Sequence, residues 1–248
     1  MALRYYGDKL IMWPEVKEMR VAIHQPEFAP WLGYFHKMHS ADVYVFLDNV
    51  QFKKRYFENR NYLRDRNKDE KVWLTIPVET KGKYNQAIKD VKIKNDSDWT
   101  TKVKNKVSHL YGNNEVTKCF NSYFNDKDSL MELNLGLINF FRKCFDIKTK
   151  VTFQSSLNIE SKGSDLIFDI CEVLNADTYI CGKSGADYLD LEKFKNAEID
   201  IEWQNFTEPD YFGLVHGGET KLTNLSSLDF VQMYGVDCAK EFKDIICK

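Results

Sequence analysis

Apolar and polar positions recur along this chain in short blocks. Residues 21–25 (VAIHQ) form an apolar run stopped by Pro26, and 30–41 (PWLGYFHKMHSA) follow with helical spacing behind Pro30. Residues 42–48 (DVYVFLD) carry apolar, β-prone side chains on both faces, as a central parallel strand does. Strand, loop, short helix and strand make a βαβ unit. Residues 49–70 are polar and irregular, and 71–78 (KVWLTIPV) predict another strand, ended by Pro77. A loop over 79–90 leads to a short strand at 90–93. Apolar positions at helical spacing over 98–111 and 127–146 predict a helical middle region spanning 95–148. The α/β rhythm then resumes with a strand at 150–156, a helix at 163–176, a strand at 177–182, a loop into a helix over 183–197 and a strand at 198–203. A last helix over 224–235 stops at Gly235. This alternation predicts an α/β fold, a mainly parallel sheet covered by helices on both faces. No internal repeat or low-complexity tract divides the chain, so residues 1–248 read as one domain with 1–20 as an N-terminal extension.

Composition narrows the classes. A chain of 248 residues can bury a substantial core without staples. Its 35 basic and 37 acidic residues nearly cancel, which argues against a dedicated nucleic-acid surface. The six cysteines are spread singly without a C-x-x-C pair, and residues 1–20 lack the apolar core of a signal peptide, so free thiols and a cytoplasmic location are expected. The longest apolar runs, such as 43–47, fall far short of the ~20 residues of a membrane span.

In an open parallel sheet, ligands gather at the carboxyl ends of the strands. Four polar clusters occupy such ends here: His24-Gln25, Asp48 with Gln51, Lys183-Ser184, and the Asn/Arg-rich loop 58–66. They are expected to face one cleft. Histidine is the commonest acid–base residue near neutral pH, although His24 is equally at home as a half-buried packing residue, and Asp48 as a turn cap. His36 and His39 stand three apart on a helix, with His24 as a third imidazole, yet no Cys or carboxylate falls at a companion spacing, and no metal is assigned. The basic, aromatic-interleaved loop 53–68 reads as a solvated loop before it reads as a nucleic-acid surface. Within it, the planar fork of Arg60 suits a phosphate, and Asn59 and Asn61 suit sugar hydroxyls. Cys181, beside Lys183, is a nucleophile only if it escapes burial.

Together, His24-Gln25-Pro26, Pro30-Trp31, Gly33-Tyr34-Phe35, Ala41-Asp42, Phe46-Leu47-Asp48, Gln51-Phe52 and Asn59-Arg60-Asn61 resemble the opening signature of the WbqC-like family of bacterial proteins. Asp187-Tyr188-Leu189 with Phe194, then Pro209-Asp210-Tyr211, then Leu225-Ser226-Ser227-Leu228-Asp229 before Gly235, extend the resemblance over residues 21–236. Residues 1–20 precede the family's usual start, and 210–224 lack its Gln soon after the Tyr. The resemblance implies a role in surface-polysaccharide (O-antigen) assembly. The expected reaction is N-acylation, by an aminoacyl or glycyl group, of a nucleotide-linked amino sugar. The donor it leaves open: free acid with ATP, or an acyl group on a carrier. The chain is also similar to pantothenate synthetase and other Rossmann-like nucleotidyl-transferring enzymes, without their Gly-His pair, which implies a Rossmann-like sheet and, as an alternative, ATP-dependent amide ligation. On the first reading His24 is the general base and Asp48 an orienting group or amine ligand. Gln25 or Asn59 touches a carbonyl or sugar, Arg60 and Lys183 hold phosphate with Ser184 beside them, and Trp31 and Tyr34 stack on base or sugar. Gln51, Asp187 and Tyr188 complete the expected substrate contacts. A non-catalytic module that binds a glycan or nucleotide-sugar would use the same cleft.

Overall fold

The computed structural model describes residues 2–6, 9–13, 18–95, 98–217 and 222–247. An N-terminal antiparallel hairpin, β1 (Ala2–Tyr6) with β2 (Lys9–Trp13), lies in the expected extension. The centre is a five-stranded parallel sheet of β3 (Arg20–His24), β4 (Val43–Phe46), β7 (Lys150–Phe153), β8 (Thr178–Cys181) and β9 (Asp200–Trp203), in the order β7-β4-β3-β8-β9. The chain runs outward from β3 through β4 to β7, then returns to the other side of β3 for β8 and β9. The order therefore reverses between β3 and β8, and a crevice opens at the carboxyl ends of strands at such a reversal.

Period-two alternation explains why both faces are covered. Ala22, Tyr44, Phe46 and Ile180 join one core with α1 (Leu32–His39), α2 (Trp99–Tyr111), α3 (Glu115–Ser122) and α4 (Leu130–Cys144). Val21, Ile23, Val45, Tyr179 and Cys181 join a second core with α5 (Gly163–Val173) and α6 (Leu191–Asn196). The expected α/β class and parallel sheet are both present.

Five elements differ from the sequence pattern. The stretch read as irregular holds β5 (Arg60–Asp65), paired antiparallel with β6 (Glu70–Thr75). Its buried positions include Asn61 and Arg64 on its two faces, both polar, so the strand carries no apolar alternation to read. The expected strand at 90–93 is a 3-10 turn, Ile88–Asp90, followed by isolated bridges from Lys92 and Ile93. Among short helices, α3 and α7 (Tyr211–His216) were absent from the pattern, and the last predicted helix contracts to α8 (Leu228–Tyr234). Asn114 and Asp210 cap α3 and α7 by accepting the backbone N–H of Thr117 and Gly213.

Candidate functional site

The turn from β3 to α1, residues 25–30, is braced at the crevice by hydrogen bonds from distant side chains. Asn61 Nδ2 donates to the carbonyls of Phe28 (3.3 Å) and Ala29 (2.9 Å), and Asn134 Nδ2 donates to those of Pro26 (2.9 Å) and Glu58 (2.8 Å). Phe28 N–H adds a bond to Phe57 O at 2.9 Å. This bracing holds Ala29 at φ 41°, a left-handed conformation that alanine seldom adopts. The turn thus presents His24, Gln25 and Glu27 in one fixed arrangement.

Two cavities meet there. A smaller one of about 360 Å³ is lined by His24, Gln25, Glu27, Lys37, Tyr179 and Tyr188 among others. A larger one of about 540 Å³ is lined by Trp31, Tyr34, Lys183, Gln204, Phe206 and Glu208 among others. His24, Lys37, Gly182 and Ser184 line both. The shared floor is the end of β3 and β8, at the reversal of strand order.

His24 Nδ1 lies 3.1 Å from the carbonyl of Gln25. A carbonyl only accepts, so Nδ1 carries the proton and Nε2 keeps its lone pair. Burial, reinforced by the charge of Lys37, lowers the imidazole from its ordinary 6.5 to about 3, so the ring is neutral at working pH. Lys37 projects from the buried face of α1, 3% exposed, and its Nζ donates to Ile23 O at 2.8 Å. Burial brings Lys37 down to about 8, against the opposing pull of Cys181 and Glu27. Glu27, 7% exposed, places Oε1 3.9 Å from His24 Nδ1. Burial first, then the charge of Glu58, raises its carboxyl to about 8.

The larger cavity has an aromatic wall. Trp31 packs edge-on against Phe206 at 5.4 Å, and its indole lies directly on Gly33, where an added Cβ would come within 2.2 Å of a ring carbon. Tyr34 OH donates to Gln25 O at 3.2 Å.

The expected residues divide accordingly. His24, Gln25, Trp31, Tyr34, Lys183, Ser184 and Tyr188 line the paired cavities. Gln51 lines a neighbouring cavity of about 710 Å³ and donates to Tyr84 O at 2.9 Å. Asp187 is exposed and lines none of these three cavities. Asp48 is buried and turned toward the β7 end, accepting from Ser155 N–H (2.9 Å) and Ser155 Oγ (2.6 Å). Asn59 is buried and donates to Ile76 O at 2.9 Å. Arg60 stacks over Trp73 at 3.8 Å on the β5–β6 hairpin. The four clusters expected to share one cleft therefore separate, because the Asn/Arg loop is spent on building a hairpin and bracing a turn. Cys181 is 1% exposed and burial raises its thiol, which removes it as a nucleophile. His36 contacts Gln204 and Phe206, and His39 packs on Phe242. Among the described residues no group of three or more His, Cys, Asp or Glu is placed to hold a metal ion.

Sequence reasoning missed Glu27 and Lys37. Glu27 stands one residue beyond the His-Gln-Pro run, and its carboxyl in a turn flanked by Pro26 and Phe28 was a readable anomaly. Lys37 carried a signal too, a lysine on the apolar stripe of α1 between Tyr34 and Met38.

The WbqC-like protein family matches residues 25–241, from the carboxyl end of β3 to beyond α8. The chain belongs to this family. An uncharacterized protein of Mycobacterium tuberculosis, Rv1507c, is 26% identical over 193 residues, covering 75% of this chain and 82% of the relative. No solved structure matches the chain. Among the described residues no helix is long and apolar enough to cross a membrane. The WbqC-like span includes the braced turn, the lining of both cavities apart from Ile23 and His24 just before it, and the buried network around Asp229, where Arg64 Nε, Tyr111 OH and Tyr211 OH all donate to one carboxylate at 3.0, 3.1 and 3.0 Å.

Proposed function

We propose that this WbqC-like protein is an enzyme that forms an amide on the amino group of a nucleotide-linked amino sugar, in surface-polysaccharide assembly. The observation that carries the reading is the meeting of two cavities at His24 and Lys37. Amide formation brings two substrates together, an amine and an acyl donor, and needs a proton acceptor and an electrophilic group where they touch. His24 Nε2 is the free acceptor at that junction, and it takes a proton from nitrogen as the C–N bond forms. Lys37 faces both cavities as a fixed cation beside the oxygen that gains charge. The Trp31–Phe206 wall suits a sugar or base, with Lys183 and Ser184 at its rim.

The test is to incubate the protein with dTDP-linked amino sugars, glycine or a glycyl carrier, and ATP, and to follow product mass. The expected product carries one added acyl group in amide linkage. His24→Ala should bind the sugar and lose turnover by about 10²–10⁴-fold, the usual worth of a positioned base. Release of pyrophosphate only when amino sugar and free amino acid are both present assigns the ATP-dependent route. Sugar binding with no acylated product from any donor overturns the enzymatic reading in favour of a binding module.

A further inference from the structure

Glu27 and Glu58 are buried carboxyls whose hydrogen bonding the fold leaves incomplete. Glu27 is 7% and Glu58 2% exposed, yet among the described residues Oε2 of each has no hydrogen-bond partner. A buried carboxyl oxygen without a donor is costly, and a polar ligand removes that cost. Glu27 also lines the smaller cavity, beside His24 and Lys37. The groups whose charge reaches it are Glu58 from the loop before β5 and Lys37 from α1, while its own charge reaches Tyr34 of α1 and Tyr44 of β4. His24 at the end of β3 lies beside it and is neutral. Lys37 is the buried cation of this group, and Lys53, exposed on the lining of the same cavity, acts on Glu58. Oε2 of Glu27 is the acceptor that a cation entering the smaller cavity would meet.

We propose that the smaller cavity receives the primary ammonium group of the acceptor substrate, that Glu27 holds it and takes its first proton, and that Glu58 is a positioning residue behind Glu27. This rests on the amide-forming reading above and assigns one substrate to one cavity. The proton affinities divide the labour. A carboxyl at about 8 is matched to an alkylammonium, whereas an imidazole held at about 3 is not. In the step, the ammonium gives one proton to the Glu27 carboxylate and becomes a neutral amine. Its lone pair forms the C–N bond to the carbonyl carbon of an activated acyl donor, a thioester or acyl phosphate, and the carbonyl π pair moves to oxygen beside Lys37. Nitrogen then loses its second proton to His24 Nε2. The bond from carbon to the leaving group breaks, the leaving group departs with the electron pair, and it takes the proton from His24. Glu27 keeps that proton as product leaves, which restores its resting protonated form; the one net proton of the reaction is the one released when the ammonium bound.

The experiment compares binding of a dTDP-linked 4-amino-4,6-dideoxyhexose with its 4-hydroxy counterpart, by calorimetry in buffers of different ionisation enthalpy at pH 7. The wild-type protein should prefer the amine by at least about tenfold and release close to one proton on binding it. Glu27→Gln should abolish both. Glu58→Gln relieves the repulsion that keeps Glu27 protonated, so it should bind the amine with less proton release, which a merely structural role would not change. Equal affinity for the two sugars, or amine binding without proton release in the wild type, overturns the assignment without recourse to a variant. A Glu27→Gln protein that keeps amine preference and turnover overturns it while leaving amide formation standing. A Glu27-dependent amine preference with no acyl product from any donor supports the ammonium site and sinks the acyl-transfer reading instead.

Discussion

At the scale of single residues, the site stores opposed titrations in contact. Glu27 is raised from 4.5 to about 8, so in the folded state it keeps a proton that the unfolded chain has already lost. Its contribution to stability is complete below about pH 4.5 and is lost as pH rises through 8. His24 runs the other way. Lowered from 6.5 to about 3, it stays neutral while the unfolded chain takes up a proton, so its contribution is present above pH 6.5 and lost as pH falls toward 3. Glu27→Gln, which keeps the shape and removes the charge, should therefore be more stable than the wild type at pH 9 by on the order of 3 kcal/mol, with little difference at pH 4.5. His24→Gln should flatten the acid limb by about 2 kcal/mol, a figure discounted for the ring's partial exposure to solvent. Urea denaturation across pH 4–9 reads both limbs, and a Glu27→Gln protein whose stability tracks the wild type through pH 9 contradicts the first.

At the scale of elements, the functional segment is the turn from β3 to α1, and its rigidity comes from side chains far away in sequence. Asn134 on α4 ties Pro26 to Glu58, and Asn61 on β5 ties Phe28 and Ala29. Asn134→Ala leaves two buried carbonyls without a donor and should cost about 2–4 kcal/mol. It should lower the denaturation midpoint at unchanged slope and weaken sugar binding in the folded protein, because His24, Gln25 and Glu27 then lose their common support. Unaltered binding at that reduced stability would show that the turn needs no bracing. The same long-range bracing explains what could be read from the sequence. The strands and helices of the parallel sheet announce themselves by apolar period, and His24 by its place at a strand end. Asn61 and Arg64 gave no such signal, since a buried polar side chain looks like a surface one until its partners are known. Asn59, Arg60 and Asp48 have the residue types of ligand contacts and serve the backbone, an aromatic stack and Ser155 instead. Glu27 and Lys37 had the opposite fate, charged residues in turn and helix whose burial only the assembled sheet creates.

At the scale of the whole molecule, strand order decides where two substrates can meet. Because β8 returns beside β3, the loops after both strands open at one place, and the two cavities share His24, Lys37, Gly182 and Ser184 as a common floor. Neither loop alone would enclose two volumes. Ligands in the two cavities should consequently lie close enough to be joined covalently. A compound in which the amine-bearing sugar is linked to the acyl group through a tetrahedral phosphonamidate would span the junction and place its oxyanion beside Lys37. The second half then binds at the effective concentration set by the link, so the compound should bind about 10²-fold or more tighter than the nucleotide-linked sugar alone. Lys37→Met should erase most of that gain while sparing the sugar half, since it removes the cation at the junction and leaves the Glu27 carboxyl of the smaller cavity in place. Titration calorimetry of the compound and its two halves against both proteins measures the gain directly. A joined compound no tighter than its sugar half would mean that the two cavities do not hold reacting partners, and the geometry at His24 would then belong to a site for one ligand.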